Sequence, residues 1–264
     1  MKAKLTIIKI GGGIIDDKAS LASTLDHFAN LEGKKILIHG GGRLATELAG
    51  KLGVQQTLIE GRRVTDAETL KITTMVYAGW INKSMVATLV SRGVNALGVS
   101  GVDQNLIQAK KRADQGIDFG FVGDVEKVNV EVLSSWLANG ITPIIAPITH
   151  DGTGQLLNTN ADTIANEVAK ALAREFSVTL VYSFEKSGVL LDVENESSRI
   201  QEISFTQFQE LKGTKKIFAG MIPKLENAFQ AIESGVDQVL IGMAQDLPNL
   251  LAGTTGTKLK YGKS

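Results

Sequence analysis

Leu5-Thr6-Ile7-Ile8-Lys9-Ile10-Gly11-Gly12-Gly13 opens the chain with a run of apolar and β-branched residues that breaks on three glycines. A short apolar run bounded by a turn signal predicts a buried strand. The arrangement recurs after the run at 35–38, where Ile38-His39-Gly40-Gly41-Gly42 again leads into a segment with helical spacing. Further strand-like runs lie at 96–99, 141–146, 178–181 and 238–241, and helical spacing occupies 21–31, 43–52, 66–92, 160–174 and 223–234. Strand and helix alternate, which predicts right-handed βαβ units. The fold expected is α/β, a three-layer αβα sandwich with a mainly parallel central sheet. In such sheets ligands bind at the carboxyl ends of the strands, where both glycine turns fall. The polar, acidic stretch 195–198 after Leu190-Leu191-Asp192 predicts a hairpin or connecting loop. A long helix ending near residue 175 before a new strand suggests two lobes sharing one sheet, residues 1–175 and 176–264.

Composition narrows the function. A chain of 264 residues with 43% hydrophobic content can bury a sizeable core. Lys plus Arg and Asp plus Glu both number 28, so there is no basic field for nucleic acid or anionic lipid, and small-molecule partners are expected. The absence of cysteine excludes disulfides, thiolate metal sites and cysteine nucleophiles, and is compatible with a cytoplasmic location. The first ten residues carry Lys2, Lys4 and Lys9 between apolar residues and read as a strand, not a signal peptide. No run reaches the roughly 18 apolar residues that a membrane-spanning helix needs, so no membrane partner is expected.

The two glycine turns suit phosphate. Glycine allows close approach of the main chain and positive φ, and the N–H groups of a following helix supply donors and positive dipole. A strand-to-helix turn calls for glycine on steric grounds as well, but two triple-glycine turns favour a cradle. Neither is a dinucleotide fingerprint, because no Gly-x-Gly-x-x-Gly with an acidic residue some twenty positions later is present. The tail Gly262-Lys263-Ser264 is not a P-loop, since Thr257 stands where the first glycine belongs; a solvated tail is expected.

Five motifs in order carry a resemblance: Lys9 with its glycine turn, His39-Gly40-Gly41-Gly42, Arg63-Val64-Thr65, Asn158-Thr159-Asn160-Ala161-Asp162 and Gly220-Met221-Ile222-Pro223-Lys224. The chain resembles the acetylglutamate kinases of the amino-acid kinase family over about residues 5–255, the last two motifs being the most specific. The resemblance implies an eight-stranded, mainly parallel sheet between helices, an N-acylglutamate bound by the N-terminal part, and ATP with Mg2+ bound by the C-terminal part. It implies that Lys9 and Lys224 neutralise the phosphoryl group in flight and that Asp162 orients them. Gly41 and Gly42 would donate N–H groups to that group and the substrate, Arg63 would hold the α-carboxylate, and Asn158 would bind the acylated amino acid. Gly11, Gly12, Glu185, Gly188 and Gly220 would belong to the nucleotide site. The reaction implied is ATP-dependent phosphorylation of the side-chain carboxylate of N-acetylglutamate in arginine biosynthesis, with N-succinylglutamate as an alternative substrate and a non-catalytic ATP or amino-acid sensor as an alternative function.

These roles agree with the chemistry. Phosphoryl transfer spreads charge over the equatorial oxygens, so alignment and electrostatic stabilisation dominate. A glutamate side chain, with reference pKa about 4.3, is already ionised at pH 7, so Asp162 suits an organiser better than a base. The planar fork of Arg63 suits a carboxylate. Taken singly, each residue also has a plain structural explanation: a solvated lysine, a surface pair at Arg62-Arg63, or a helix cap at Asn158 or Asp162. Phe184-Glu185-Lys186-Ser187-Gly188 departs from the family's small hydroxyl residue, Asp and apolar residue before glycine, and Ala219 stands where Gly or a polar residue is usual. No metal cage is expected, since His27, His39 and His150 show no metal spacing, and Mg2+ would be held by ATP phosphates and water. Trp80 and Trp136 are more often core residues than stacking platforms. The segment 66–92, with Met75, Trp80 and Met85, is the candidate homodimer surface, burial within the monomer being the alternative.

Overall fold

The structure, a computed structural model, describes residues 2–59, 62–114, 116–214, 216–217 and 221–260. Ala219, Gly220 and the tail 262–264 lie outside the described residues. The chain forms two compact units, Ile36–Ile164 and the pair Met1–Lys35 with Ala165–Ser264.

In the unit that holds the chain's beginning, strands lie side by side in the order Glu202–Ser204, Thr257–Lys260, Gln238–Met243, Phe176–Phe184 and Ala3–Ile10. Ala3–Ile10 and Gln238–Met243 each run parallel to Phe176–Phe184, and Thr257–Lys260 runs antiparallel to Gln238–Met243. Ile7, Ile8 and Ile10 are fully buried, as expected of a parallel strand covered on both faces. The expected hairpin forms, with Val189–Leu190 antiparallel to Arg199–Ile200. Its turn is held by Asn195, whose side chain accepts from the Ser197 N–H at 3.0 Å.

In the unit Ile36–Ile164, the strand Lys34–His39 runs parallel to Thr142–Ala146, which runs parallel to Ala96–Ser100. A second sheet has the order Leu156–Asn158, Ile148–His150, Ile107–Lys111, Gly123–Val128. The mainly parallel α/β architecture read from the sequence is therefore present, and this smaller sheet is an addition to it.

The segment 66–92 is helical but not uniformly α. Ala67–Thr74 and Asn82–Ser91 are α-helical, and Met75–Ile81 between them is a π-helix. Asp66 caps its start, accepting from the Thr69 N–H at 2.7 Å. Tyr77, Ile81, Met85 and Leu89, four residues apart, are buried, whereas Met75 and Trp80 are 53% and 71% exposed. Two expectations are corrected here. Met85, 1% exposed, belongs to the core and not to a docking face, because it shares the buried stripe. Trp80 is not a core residue, because it lies off that stripe; Trp136 is partly buried.

Candidate active site

Lys9 lies near the end of Ala3–Ile10, opposite Tyr182 in the register, and is 7% exposed. A buried strand thus carries an ammonium group to its carboxyl end. The Gly11 N–H donates to the Ser183 carbonyl at 3.1 Å, laying the first glycine turn along the end of Phe176–Phe184. The position a Cβ would take at Gly11 is 3.8 Å from Phe184 Cβ and 4.0 Å from Lys9 Nζ. Phe184 also faces Lys224, whose Nζ is 4.6 Å from the ring centroid. Lys224 stands in the first turn of Ile222–Glu233, where Pro223 starts the helix. That end of a helix dipole favours anions and adds to the lysine's charge.

Glu185 follows directly, and its carboxylate overlies Gly13, where any Cβ would overlap it. A side chain at the third glycine would displace the Glu185 carboxylate from this position. Gly188 packs on Thr257, whose hydroxyl accepts from the Val189 N–H at 2.9 Å. A cavity of about 330 Å³ lies nearby, lined by Ser187, Glu196, Arg199, Met243 and Asp246 among others. Hydrogen bonds from Ser187 hold the Glu196 carboxyl below its usual pKa. Lys186, a departure from the family pattern, is tied to the hairpin through the Val193 carbonyl at 2.9 Å.

The unit Ile36–Ile164 carries the other candidates. Gly41 has φ of 143°, and a Cβ there would strike Ile81. Only glycine meets both demands. Gly42 begins the helix Gly42–Lys51, and the Arg63 guanidinium is laid across this end of it. Arg63 Nη2 donates to the Gly42 carbonyl at 2.7 Å and to Thr46 Oγ1 at 2.8 Å, and Nη1 donates to Gln56. Burial raises the Tyr77 phenol pKa, and the adjacent Arg63 partly opposes that shift. With both Nη2 hydrogens given to Gly42 and Thr46 and one Nη1 hydrogen to Gln56, the guanidinium offers a carboxylate its charge, at the positive end of a helix, with Nε–H and the second Nη1–H. Arg63 is thus placed with Gly42 rather than in a surface pair with Arg62.

Asn158 ends the strand Leu156–Asn158 and donates from Nδ2 to Thr65 Oγ1 at 3.1 Å. Its N–H goes to the Phe121 carbonyl at 2.9 Å, and the Phe121 N–H goes to the Thr65 carbonyl at 2.7 Å. Segment 119–121 therefore joins the motif Arg63-Val64-Thr65 to Asn158. Asn160 caps Ala161–Leu172, its Oδ1 accepting from the N–H groups of Asp162 at 2.8 Å and Thr163 at 3.1 Å. Capping is thus the work of Asn160, and Asp162 supplies a carboxylate in the helix's first turn.

Sequence reasoning did not identify Tyr77, Asn82 or the 119–121 segment, and it named Thr65 as part of a motif without a role. Tyr77 has a signal in its place on the four-residue stripe of 66–92; Asn82 lies off that stripe, and the partners of Thr65 and of the 119–121 segment depend on long-range pairing. Among the described residues, no group of three or more His, Cys, Asp or Glu could hold a metal ion, and no helix is long and apolar enough to cross a membrane.

Comparison with known proteins gives the family. The model of the amino acid kinase family matches residues 4–242. An acetylglutamate kinase of Bacteroides thetaiotaomicron is 51% identical over 260 residues, covering 98% of this chain and 100% of the relative. One from Cytophaga hutchinsonii is 53% identical over 259 residues, covering 97% and 98%. The crystal structure of smu.665 from Streptococcus mutans UA159 superposes with a TM-score of 0.79 at 30% identity, covering 97% of this chain and 98% of that one. With a family match across most of its length and half its residues shared with these relatives, the chain belongs to the amino acid kinase family.

Proposed function

We propose that this chain transfers the γ-phosphoryl group of ATP to the side-chain carboxylate of N-acetyl-L-glutamate, giving N-acetylglutamyl 5-phosphate and ADP, in arginine biosynthesis. The observation that carries the reading is Arg63, a guanidinium fixed on Gly42 and Thr46 at the start of a helix, in a chain about half identical to acetylglutamate kinases. Arg63 binds the substrate α-carboxylate, and Asn158 binds the acylated amino group. The ionised side-chain carboxylate needs no base and attacks phosphorus directly while the bond to the ADP oxygen breaks. Lys9 and Lys224 offset the charge on the transferring oxygens, Gly41 and Gly42 donate N–H groups to them, and Asp162 orients the lysines. Gly11, Gly12, Glu185 and Gly188 contribute to the nucleotide site, as does Gly220. Magnesium, carried by the ATP phosphates and water, would supply charge neutralisation to the transfer. The enzyme works in the cytoplasm as a homodimer, the exposed Met75 and Trp80 supplying apolar contact.

The test is acyl phosphate formation, trapped with hydroxylamine, in the presence of ATP and Mg2+. N-acetylglutamate and N-succinylglutamate are compared, with free glutamate as control. Product from N-acetylglutamate supports the proposal, preference for N-succinylglutamate reassigns the acyl group, and no product despite ATP binding points to a sensor.

A further inference from the structure

The His39 ring is fully buried between two partners. Its Nδ1 is 2.8 Å from the Gly40 carbonyl oxygen, and its Nε2 is 3.2 Å from Asn82 Nδ2. A carbonyl oxygen only accepts, so Nδ1 carries the proton. The neutral ring then offers a lone pair on Nε2, and the Asn82 amide donates to it. The second hydrogen of the same amide goes to the Ile144 carbonyl at 2.8 Å. Ile144 lies opposite Leu37 on the strand that pairs with Lys34–His39, so Asn82 is anchored to the sheet that carries the turn.

Asn82 is the first residue after the π-helix Met75–Ile81. The π-helix brings Tyr77 and Ile81 against Gly41 and is followed at once by the amide that meets His39. π-Helical segments are rare and concentrate at functional sites. Three successive glycines have the widest backbone freedom in the chain, so a turn made of them keeps its N–H groups aimed only if neighbouring side chains hold it. The Gly40 carbonyl is held in this way by the His39 Nδ1–H.

We propose that Asn82, acting through His39, is a positioning residue for the turn Gly40–Gly42: it fixes the imidazole tautomer, the imidazole fixes the Gly40 peptide, and that peptide aims the N–H groups of Gly41 and Gly42. What the turn binds rests on the kinase reading above. Burial pushes the imidazole pKa down to about 4, so the ring stays neutral throughout the pH range of an assay.

Two measurements test this. In the wild-type protein, which has 3 histidines, ¹⁵N chemical shifts of His39 should show Nδ1 protonated and Nε2 bare; a ring protonated on Nε2 overturns the proposal. Asn82→Ala, His39→Phe and the double variant are then compared at saturating substrates, with the folded fraction measured for each. Asn82→Ala should lower kcat about 10- to 100-fold, the scale of a small misplacement of catalytic groups, with KM for ATP changed by less than about twofold. The double variant should be no worse than His39→Phe alone. Wild-type kcat in folded Asn82→Ala, or losses that multiply, overturn the proposal. If Asn82→Ala does not fold, the tautomer in the wild type decides. An inactive wild type would defeat the kinase reading while leaving that measurement intact.

Discussion

The Lys224 ammonium sits 4.6 Å from the centre of the Phe184 ring, at the end of the strand that also receives the Gly11 N–H. Phe184 is a departure from the family pattern, and the contact gives it a role: a ring face that holds a cation beside the first glycine turn. A cation–π contact is worth about 0.5–1 kcal/mol when exposed and about 2 kcal/mol when desolvated. Phe184→Leu keeps most of the volume and removes the face, so kcat/KM should fall roughly threefold to tenfold with little change in melting temperature. Phe184→Tyr should retain activity. Unchanged kcat/KM in the leucine variant would mean that the ring only packs.

Gly41→Ala meets two obstacles. Its φ of 143° disfavours any side chain, and the new methyl would strike Ile81. Backbone strain and overpacking each cost about 1–3 kcal/mol, so urea unfolding should show a loss of roughly 2–6 kcal/mol. The loss in Gly41→Ala/Ile81→Ala should be smaller than the sum of the two single losses, because the buried Ile81 is the obstruction, and activity should stay low, because the strained φ remains.

His39 gives the protein a distinct acid limb. Its folded pKa of about 4 lies below the ordinary 6.5, because burial disfavours the imidazolium. The folded ring therefore binds fewer protons than the unfolded one. Its contribution is fully present above about pH 6.5 and is lost as pH falls towards 4, a total of about 3 kcal/mol. The lowered carboxylates Asp17, Asp66, Asp118 and Asp151 act below their ordinary 3.8 and Glu196 below its ordinary 4.5, at or beyond the acid end of this window. Urea midpoints measured from pH 7 to pH 4.5 should drop in the wild type and flatten in His39→Asn. An equal drop in both would assign the acid limb elsewhere.

What the sequence disclosed follows from how local each signal is. The apolar run ending at Ile10 and the one ending at Ile38 declare buried strands by composition alone, and the strands Ala3–Ile10 and Lys34–His39 form there. Arg63 and Asn158 stood out through motifs, but their partners did not. The carbonyl of Gly42 is 21 residues from Arg63, and Thr65 is 93 residues from Asn158. No period of two or 3.6 encodes such pairings. The π-helix was illegible for a related reason. Helical spacing at 66–92 cannot distinguish an i→i+4 from an i→i+5 ladder, and it leaves Trp80 open between the core and a homodimer surface; in the structure Trp80 faces solvent.

That exposed tryptophan leads to a test of association. Trp80 and Met75 are large apolar groups turned outward on one helical stretch. If they form the contact between two copies, Trp80→Glu should shift sedimentation from a dimer to a monomer, since a buried carboxylate without a partner costs several kcal/mol. A monomeric wild type, or a dimer that survives the substitution, would place the contact elsewhere.

Arg63→Lys separates charge from shape. The guanidinium reaches three acceptors in different directions, the Gly42 carbonyl, Thr46 Oγ1 and Gln56 Oε1, with the buried Tyr77 beside it. These contacts lock the plane of the fork before any ligand arrives, so little side-chain entropy remains to be lost when a carboxylate binds. A lysine keeps the charge but presents a point, not a plane, and cannot satisfy Gly42, Thr46 and Gln56 together. The KM for the acylated amino acid should therefore rise about 10- to 100-fold, equivalent to roughly 1.4–2.7 kcal/mol, while the KM for ATP stays near its wild-type value. A fall in kcat with both KM values unchanged would instead move Arg63 from substrate recognition to the support of the Gly40–Gly42 turn, whose last carbonyl it already holds.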